Sequence, residues 1–403
     1  MAQIPSPPSW KKQLVTVGVT GTNGKTSTTT WIAAALGAVH KPVARTTTVG
    51  AFLDDELLAD LSKDYDGFIA HMARCLERGG RFAAVEYTSE ALALGFAKAW
   101  PADVAAFTNL SHDHLDSHGT PEHYLASKAQ LFMHVTDGGS IVLNASDPAC
   151  ALLKEIVSPM AGRVVAYAVA ARGEPTFPAD LTAKTITTSW DGTTVECEGD
   201  ASLSPAVLRT QGIGSIFVEN LLAAQLAATL AGVPPHVAAE AIAKTPAPPG
   251  RFEIIARAPY VVVDFAHTPD AIFRTVATAR ELCPMGEGKV TVVFGAGGNR
   301  DKGKRGPMGA AASKADRIIL TSDNPRTERA QDIAAAIKRG IVGGAKVEVE
   351  LDRRRAIAKA LASAGPNDAI LILGRGHETE QLIGTEKVSF SDVEVARELL
   401  RGP

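Results

Sequence analysis

The residues best suited to chemistry stand together in Gly21-Thr22-Asn23-Gly24-Lys25-Thr26, followed by Ser27. Alternating Val15, Val17 and Val19 predict a strand over 14–20 before them. An alanine-rich stretch predicts a helix over 28–40 after them. In a glycine-rich turn between strand and helix, backbone N–H groups point at phosphate oxygens, and the helix N-terminus adds its dipole. Lys25 supplies a charge for terminal phosphates, and the Thr26 hydroxyl suits Mg²⁺. The strict GxxxxGK[ST] pattern is broken, because Val19 stands where its first glycine belongs. An ordinary glycine-rich turn is the competing reading; the strand–loop–Gly-Lys-Thr–helix context favours the phosphate loop.

Glu86 ends a predicted strand over 82–87, the place of a metal-holding carboxylate that faces the phosphate loop. Four of the ten histidines lie between 112 and 123, in and after Thr108-Asn109-Leu110-Ser111-His112-Asp113-His114-Leu115-Asp116. A solvated loop and a structural zinc site are the plain readings, and the lack of nearby cysteine weighs against zinc. Mg²⁺ prefers oxygen ligands, so spacing alone leaves the metal role of His114 open. Lys128 falls in a predicted helix over 121–134, where spacing assigns it nothing beyond solvation.

In the second half, polar motifs recur at predicted strand ends. Arg251 follows Pro248-Pro249-Gly250, and Asp264 and His267 close a strand over 260–265. Residues 295–305 (GAGGNRDKGKR, with Arg300) follow a strand over 290–294. That loop suits an anion, or is simply a solvated basic loop. Asp323-Asn324-Pro325-Arg326 follows 317–321, and Gly374-Arg375-Gly376-His377-Glu378 follows 369–373. Carboxylates and an arginine on one sheet edge suit a zwitterion: Arg pairs with its carboxylate, Asp or Glu with its ammonium.

Strand–helix alternation in both halves predicts parallel, doubly wound sheets, whose ligands collect at the carboxyl ends of strands. The fold class is therefore α/β with two mostly parallel-sheet domains. Residues 1–247 form a P-loop ATPase-like central domain, and 248–403 a Rossmann-like C-terminal domain. The Pro-rich 245–250 (TPAPPG) links them. Between 163 and 203, short alternating runs around Asp191-Gly192 predict an antiparallel insert or sheet extension. The length of 403 residues leaves room for two to three domains at about 150 each. With 41 Lys+Arg against 44 Asp+Glu, the chain lacks the basic excess of a nucleic-acid or membrane-surface binder. No uncharged apolar run approaches about 18 residues, and the start reads as no secretion signal. Four scattered cysteines fit reduced thiols in the cytoplasm.

Taken in order, these motifs resemble the Mur ligase family, in the branch that adds the third amino acid to the peptidoglycan precursor (MurE type). The segments are GTNGKTS, TNLSHDHLDSHGT, YLASKAQLF, VENLLAA, PGRFE, VDFAHTPDA, FGAGGNRDKGKRG, TSDNPR and GRGHE, spread from about residue 15 to about residue 400. The resemblance implies an ATP-dependent acid–amino-acid ligase that works through an acyl phosphate. It implies that Thr22, Asn23, Gly24, Lys25, Thr26 and Ser27 bind ATP, and that Thr26, Glu86 and His114 hold Mg²⁺. It matches Lys128 to a lysine that takes up CO₂ as a carbamate and ligates a second metal. Asn220, Arg251 and Asp264 match ATP-contacting positions, with His267 beside them as a catalytic candidate. Arg300, Asp323, Asn324, Arg326, Gly374 and Glu378 match the pocket of the incoming amino acid, and Asp-Asn-Pro-Arg the form that accepts meso-diaminopimelate. Domain rotation would then exclude water from the acyl phosphate.

Departures from the family pattern shape the remaining expectations. Family members carry a uridine-binding domain ahead of the phosphate loop, whereas about fourteen residues precede the first strand here, so that domain is expected to be missing. Glu90 stands where the family has histidine, Ser117 where it has tyrosine, and Asn299 where it has aspartate. The first expectation is a ligase that joins a diaminopimelate-like amino acid to a peptide or small carboxylic acid in a specialised pathway. The alternatives are the peptidoglycan step itself without its own uridine-binding domain, and a non-catalytic nucleotide-binding subunit. Glutamate ligases of the folate type match TNLSHDHLDSHGT and DNPR less well. Oligomeric state is left open.

Overall fold

The computed structural model describes residues 5–62, 64–111, 113, 118–160, 162–283 and 286–402. They divide into two compact units, Met1–Leu110 with Ser117–Pro246, and Ser111–Asp116 with Ala247–Pro403.

The first unit is built on one eleven-stranded sheet. Its strands are β1 (Val15–Thr20), β2 (Val43–Thr47), β3 (Gly50–Leu53), β4 (Glu56–Leu57), β5 (Phe82–Glu86), β6 (Val104–Phe107), β7 (Ser140–Asn144), β8 (Arg163–Val169), β9 (Leu181–Ser189), β10 (Gly192–Gly199) and β11 (Val207–Thr210). Their order is β11-β10-β9-β8-β7-β6-β1-β5-β2-β3-β4. β1 lies parallel to β5 on one side and β6 on the other, so the chain reverses its direction of winding there. The loop after β1 therefore opens at a topological switch point, where such sheets bind ligands. Buried runs such as Ala83–Val85 and Ala105–Phe107 suit strands covered on both faces. The helix Ser215–Leu230 is buried almost all round, in keeping with its lack of charged residues apart from Glu219. It packs across the helix Lys25–Gly37 and strands β6 to β8.

The segment predicted as an antiparallel insert is only partly so. β8 pairs parallel with β7, and β9 parallel with β8. Antiparallel pairing starts at the β9–β10 hairpin around Asp191-Gly192 and continues to β11. The apolar run of β8 is buried in the parallel core, while the Thr-rich outer half of β9 alternates into solvent. The hairpin β2–β3 and the short β4 at the other edge are absent from the sequence reading.

The second unit carries a six-stranded sheet of β12 (Glu253–Arg257), β13 (Tyr260–Asp264), β14 (Val290–Phe294), β15 (Arg317–Leu320), β16 (Lys346–Val349) and β17 (Ala369–Leu373), in the order β12-β13-β17-β14-β15-β16. All neighbours run parallel except β12 against β13. A separate hairpin pairs β18 (Glu380–Ile383) with β19 (Glu386–Ser389). β14 and β17 are buried throughout, and Val261, Val263, Val293, Ile319, Ile370 and Ile372 form one core under the helix Arg353–Ala362. The α/β class and the mostly parallel sheets thus agree with the expectation. Among the described residues no helix is long and apolar enough to cross a membrane, and all four cysteines are unpaired with one another.

Candidate active site

In the first unit the turn after β1 depends on two glycines. Gly21 has φ 143° and Gly24 φ 84°, regions that L side chains rarely adopt. A Cβ on Gly21 would lie 1.9 Å from Thr108 Oγ1, and one on Gly24 2.0 Å from Asn220 Oδ1. The loop is pinned to the end of β6. Thr22 N–H donates to the Asn109 carbonyl (2.8 Å) and Asn23 N–H to Asn109 Oδ1 (3.0 Å). Thr108 Oγ1 (2.7 Å) and Asn109 Nδ2 (3.1 Å) donate to the Asn23 carbonyl. The helix starts at Lys25, earlier than its alanine pattern predicts, and its N-cap residue is Gly24, which has no side chain to cap it. Its first N–H groups thus suit an anion rather than a protein cap.

Lys25 Nζ folds back to the Thr22 carbonyl (2.8 Å). Thr26 Oγ1 donates to Glu86 Oε2 (2.9 Å). The same oxygen accepts from Thr48 N–H (3.2 Å), and the Thr48 hydroxyl lies at 3.5 Å. Thr48 sits in the β2–β3 turn, and no motif pointed to it. Lys128 is not solvated, contrary to the reading from spacing. It is 1% exposed, donates to the Gly21 carbonyl (2.6 Å) and lies 4.2 Å from the Tyr124 ring centre. The reason is helical phase. Thr120 caps Pro121–Met133 through His123 N–H, and Tyr124, Lys128, Leu131 and Phe132 at i, i+4, i+7 and i+8 all face inward. His114 and Ser117 lie outside the described residues. Nearby, His118 bridges Ser89 Oγ (3.0 Å) and Ser127 Oγ (3.2 Å), and Glu90 is exposed next to Ser89.

These residues fit a magnesium nucleotide. Asn220 is 1% exposed, and its Oδ1 has no hydrogen-bond partner among the described residues, directly beside Gly24. A buried polar atom left unpaired beside a helix start led by glycine suits a place where a bound molecule completes the bonding. Thr26 and Glu86 offer the oxygen donors that Mg²⁺ prefers. Among the described residues no three His, Cys, Asp or Glu side chains gather as a metal cluster.

The second unit gathers its candidates in two places. At the end of β13, Asp264 accepts from Phe252 N–H (2.5 Å) and Ala266 N–H (2.6 Å), and burial pushes its carboxyl up. Arg251 lies over the Phe265 ring (4.5 Å), and His267 Nδ1 contacts the Phe265 carbonyl (2.9 Å).

The ends of β14, β15 and β17 form the other place. Asn324 Nδ2 donates to Glu378 Oε2 (2.9 Å). Burial raises the Glu378 carboxyl, with the Asn324 bond opposing and the Asp323 charge adding to the rise. Gly374 has φ 110°, and a Cβ there would lie 2.5 Å from Asp323 Oδ2. Arg326 has φ 50°, a strained value for a non-glycine residue. Its N–H donates to the Leu382 carbonyl (3.1 Å), its carbonyl accepts from Gly384 N–H (2.8 Å), and Nη1 reaches the Gly298 carbonyl (2.9 Å). Arg300 is exposed, and its side chain and that of Arg326 flank Gly297.

Sequence reasoning placed Arg375 and Arg305 within motifs but did not find that they hold this edge together. Arg375 is fully buried and donates to Asn324 Oδ1 (2.9 Å) and to the carbonyls of Glu380 (2.8 Å) and Phe390 (3.1 Å). Arg305 makes a two-pronged pair with Glu328 (3.0 Å each), and Glu328 Oε1 also accepts from Asn299 N–H (2.6 Å). Asn299, in turn, accepts from the Thr327 hydroxyl (2.9 Å), a bond that aspartate would make equally. The Arg305 bond holds Glu328 down from 4.5 to about 2. Because the folded value is depressed, this stabilisation is present above about pH 4.5 and is lost as pH falls towards about 2. Glu328→Gln is expected to flatten the acid side of the stability curve over that window. Urea melts at pH 2.5, 4 and 6 check it, and an unchanged slope would refute it.

The phosphate loop at a switch point, with the charged edge of a second parallel sheet, defines a nucleotide-dependent enzyme of two α/β units. Residues 19–228 match the Mur ligase middle domain, and residues 250–376 the Mur ligase glutamate ligase domain. The chain belongs to the Mur ligase family, and it is an ATP-dependent ligase that forms amide bonds. It is 37% identical over 397 residues to the UDP-N-acetylmuramoyl-L-alanyl-D-glutamate–2,6-diaminopimelate ligase of Thermosynechococcus vestitus, covering 97% of this chain and 77% of that protein. The enzyme of the same name from Acidovorax sp. is 38% identical over 401 residues, covering 96% and 78%. A solved structure of a ligase of that name is 31% identical with TM-score 0.67, covering 97% and 79%. A Mycobacterium tuberculosis folylpolyglutamate synthase, 19% identical with TM-score 0.69 over 91% of this chain and 89% of that one, shares the fold. The expected loss of a uridine-binding domain rests only on where the sequence starts, and no residue of the chain carries it.

Proposed function

We propose that the chain adds meso-diaminopimelate to a uridine-linked muramoyl dipeptide, the third-residue step of peptidoglycan precursor synthesis in the cytoplasm. The observation that carries this reading is the similarity to ligases of that name along nearly the whole chain, at 36–38% identity. It favours the peptidoglycan step over the specialised pathway first expected. Residues 1–247 would serve the nucleotide and 248–403 the amino acid.

The substrate carboxylate attacks the γ-phosphorus of ATP, ADP leaves, and an acyl phosphate forms. The amine then attacks the acyl carbon, loses a proton, and expels inorganic phosphate. Thr22, Asn23, Gly24, Lys25, Thr26 and Ser27 cradle the phosphates, with Asn220 closing the loop from the side. Thr26, Glu86, His114 and carbamylated Lys128 would hold Mg²⁺, which neutralises charge that develops on the phosphates. Arg251 and Asp264 are assigned to the nucleotide, and His267 is the candidate catalytic histidine. Asn324, Asp323 and Glu378 receive the ammonium end of the amino acid, and Arg300, Arg326 and Gly374 its carboxylate end.

Purified protein with ATP, Mg²⁺, the uridine-linked dipeptide and either meso-diaminopimelate or lysine tests this directly, by phosphate release and product mass. Turnover with other acids but none with the uridine-linked dipeptide would return the specialised pathway. Arg326→Ala is expected to raise KM for meso-diaminopimelate by about 10- to 100-fold, the worth of a charge-assisted pair. Its KM for ATP should hold. Equal shifts in both constants would argue against a role in amine selection.

A further inference from the structure

The amine pocket brings together two loops that the sheet does not join. Asp323-Asn324-Pro325-Arg326 leaves β15, and Gly374-Arg375-Gly376-His377-Glu378 leaves β17. β14 lies between those strands, so two strand spacings, about 10 Å, separate them without a shared ladder. Yet Asn324 and Glu378 must meet across that gap, and they do so at 2.9 Å.

Arg375 crosses it within the loops through Asn324, and a further side chain, Arg353, joins their bases. Arg353 donates through Nη1 to the Ser322 carbonyl (3.1 Å) and through Nη2 to the Leu373 carbonyl (2.9 Å), the residues immediately before the two loops. Nε and Nη2 also hold Asp392 Oδ1 and Oδ2, each at 2.7 Å. Both side chains of the pair are 0% exposed. They stand at the first positions of the helices Arg353–Ala362 and Asp392–Arg401, capped by Asp352 and Ser391. The bridge therefore rests on two fixed helix starts. A fully buried ion pair is seldom more stable than well-packed apolar residues of like volume, so stability alone explains it poorly. What apolar residues cannot supply is a planar fork that holds two carbonyls and a carboxylate at once.

We infer that Arg353, oriented by Asp392, is a positioning residue for the amine: it ties the carbonyls of Ser322 and Leu373 and thereby sets the spacing of the two loops. This rests on the reading of those loops as the amine pocket.

Two variants test it. Arg353→Lys keeps the charge for Asp392 but not the fork, and the double variant Arg353→Met, Asp392→Leu removes the charges without leaving one unpaired. Each is expected to melt cooperatively and to raise KM for meso-diaminopimelate by about tenfold or more. KM for ATP should stay within about twofold, a split that a general loss of folding would not produce. A folded variant with unchanged KM for meso-diaminopimelate overturns the inference. So does failure of both variants to fold, since the pair would then serve the fold alone. Arg326→Ala, measured alongside, separates the two levels. If it leaves that KM unmoved, the pocket reading falls and this inference with it; if it raises KM while the Arg353 variants do not, only this inference falls.

Discussion

Lys25→Ala is expected to lower kcat by about 10²- to 10³-fold, the usual cost of deleting one charge-stabilising donor at a reacting centre. The fold should tolerate the change. Lys25 stands at the first position of its helix, and its Nζ donates to the carbonyl of Thr22 in its own loop. Gly21, Gly24 and the ties to Thr108 and Asn109 remain. Loss of phosphate release at an unchanged melting temperature is thus the expected pattern. Unchanged turnover would instead show that Lys25 is dispensable to the reaction. Lys25→Arg is expected to rescue little, because a wider planar cation does not replace a compact point charge in so tight a turn.

Lys128→Ala is expected to have an effect of similar size, by a different route. Neutral Nζ and CO₂ would form a carbamate, with a new N–C bond and release of one proton. A side chain that bears a cation then bears an anion, and a metal gains an oxygen ligand. The N–H that remains can still serve the Gly21 carbonyl, now 2.6 Å from Nζ. The tests are incorporation of ¹³C-labelled CO₂ at Lys128, and a fall of about 10²-fold or more in kcat for Lys128→Ala. A short carboxylate added to that variant is expected to restore part of the activity, because it fills the vacated space with the missing oxygens. Absence of label, together with full activity after removal of CO₂, would defeat the carbamate reading. Loss of cooperative melting in Lys128→Ala would instead show that the buried lysine mainly supports the Gly21 turn.

Much of the architecture was legible in the chain order of residues. Apolar runs that end at polar motifs sit where expected: β1 before the phosphate loop, β5 ending on Glu86, β14, β15 and β17 before the second set of loops. Strands buried on both faces need near-continuous apolar runs, and helices between them need a 3.6-residue pattern, so both leave local signatures. The β9–β10 hairpin was legible for the same reason, since Asp-Gly turns are a local device. The parallel pairing of β8 was not, because strand direction is decided by a neighbour far away in sequence.

The sequence by itself determined which chemistry to expect of this protein. The Gly-Lys-Thr turn, Glu86, the Asp-Asn-Pro-Arg and Gly-Arg-Gly-His-Glu segments are contiguous motifs, and phosphate cradling or zwitterion binding follows from their residue types. Only the tertiary structure decided which further side chains serve those motifs. It turned Lys128 inward beneath Gly21, set Thr48 on Glu86, and placed Arg305, Arg353 and Arg375 around the loops that follow β14, β15 and β17. Each of these takes its role from partners in other elements, whether it stands alone, as Thr48 and Arg353 do, or within a motif, as Lys128, Arg305 and Arg375 do. That role is not visible in one dimension, because burial and hydrogen-bond partnership are properties of the packed chain.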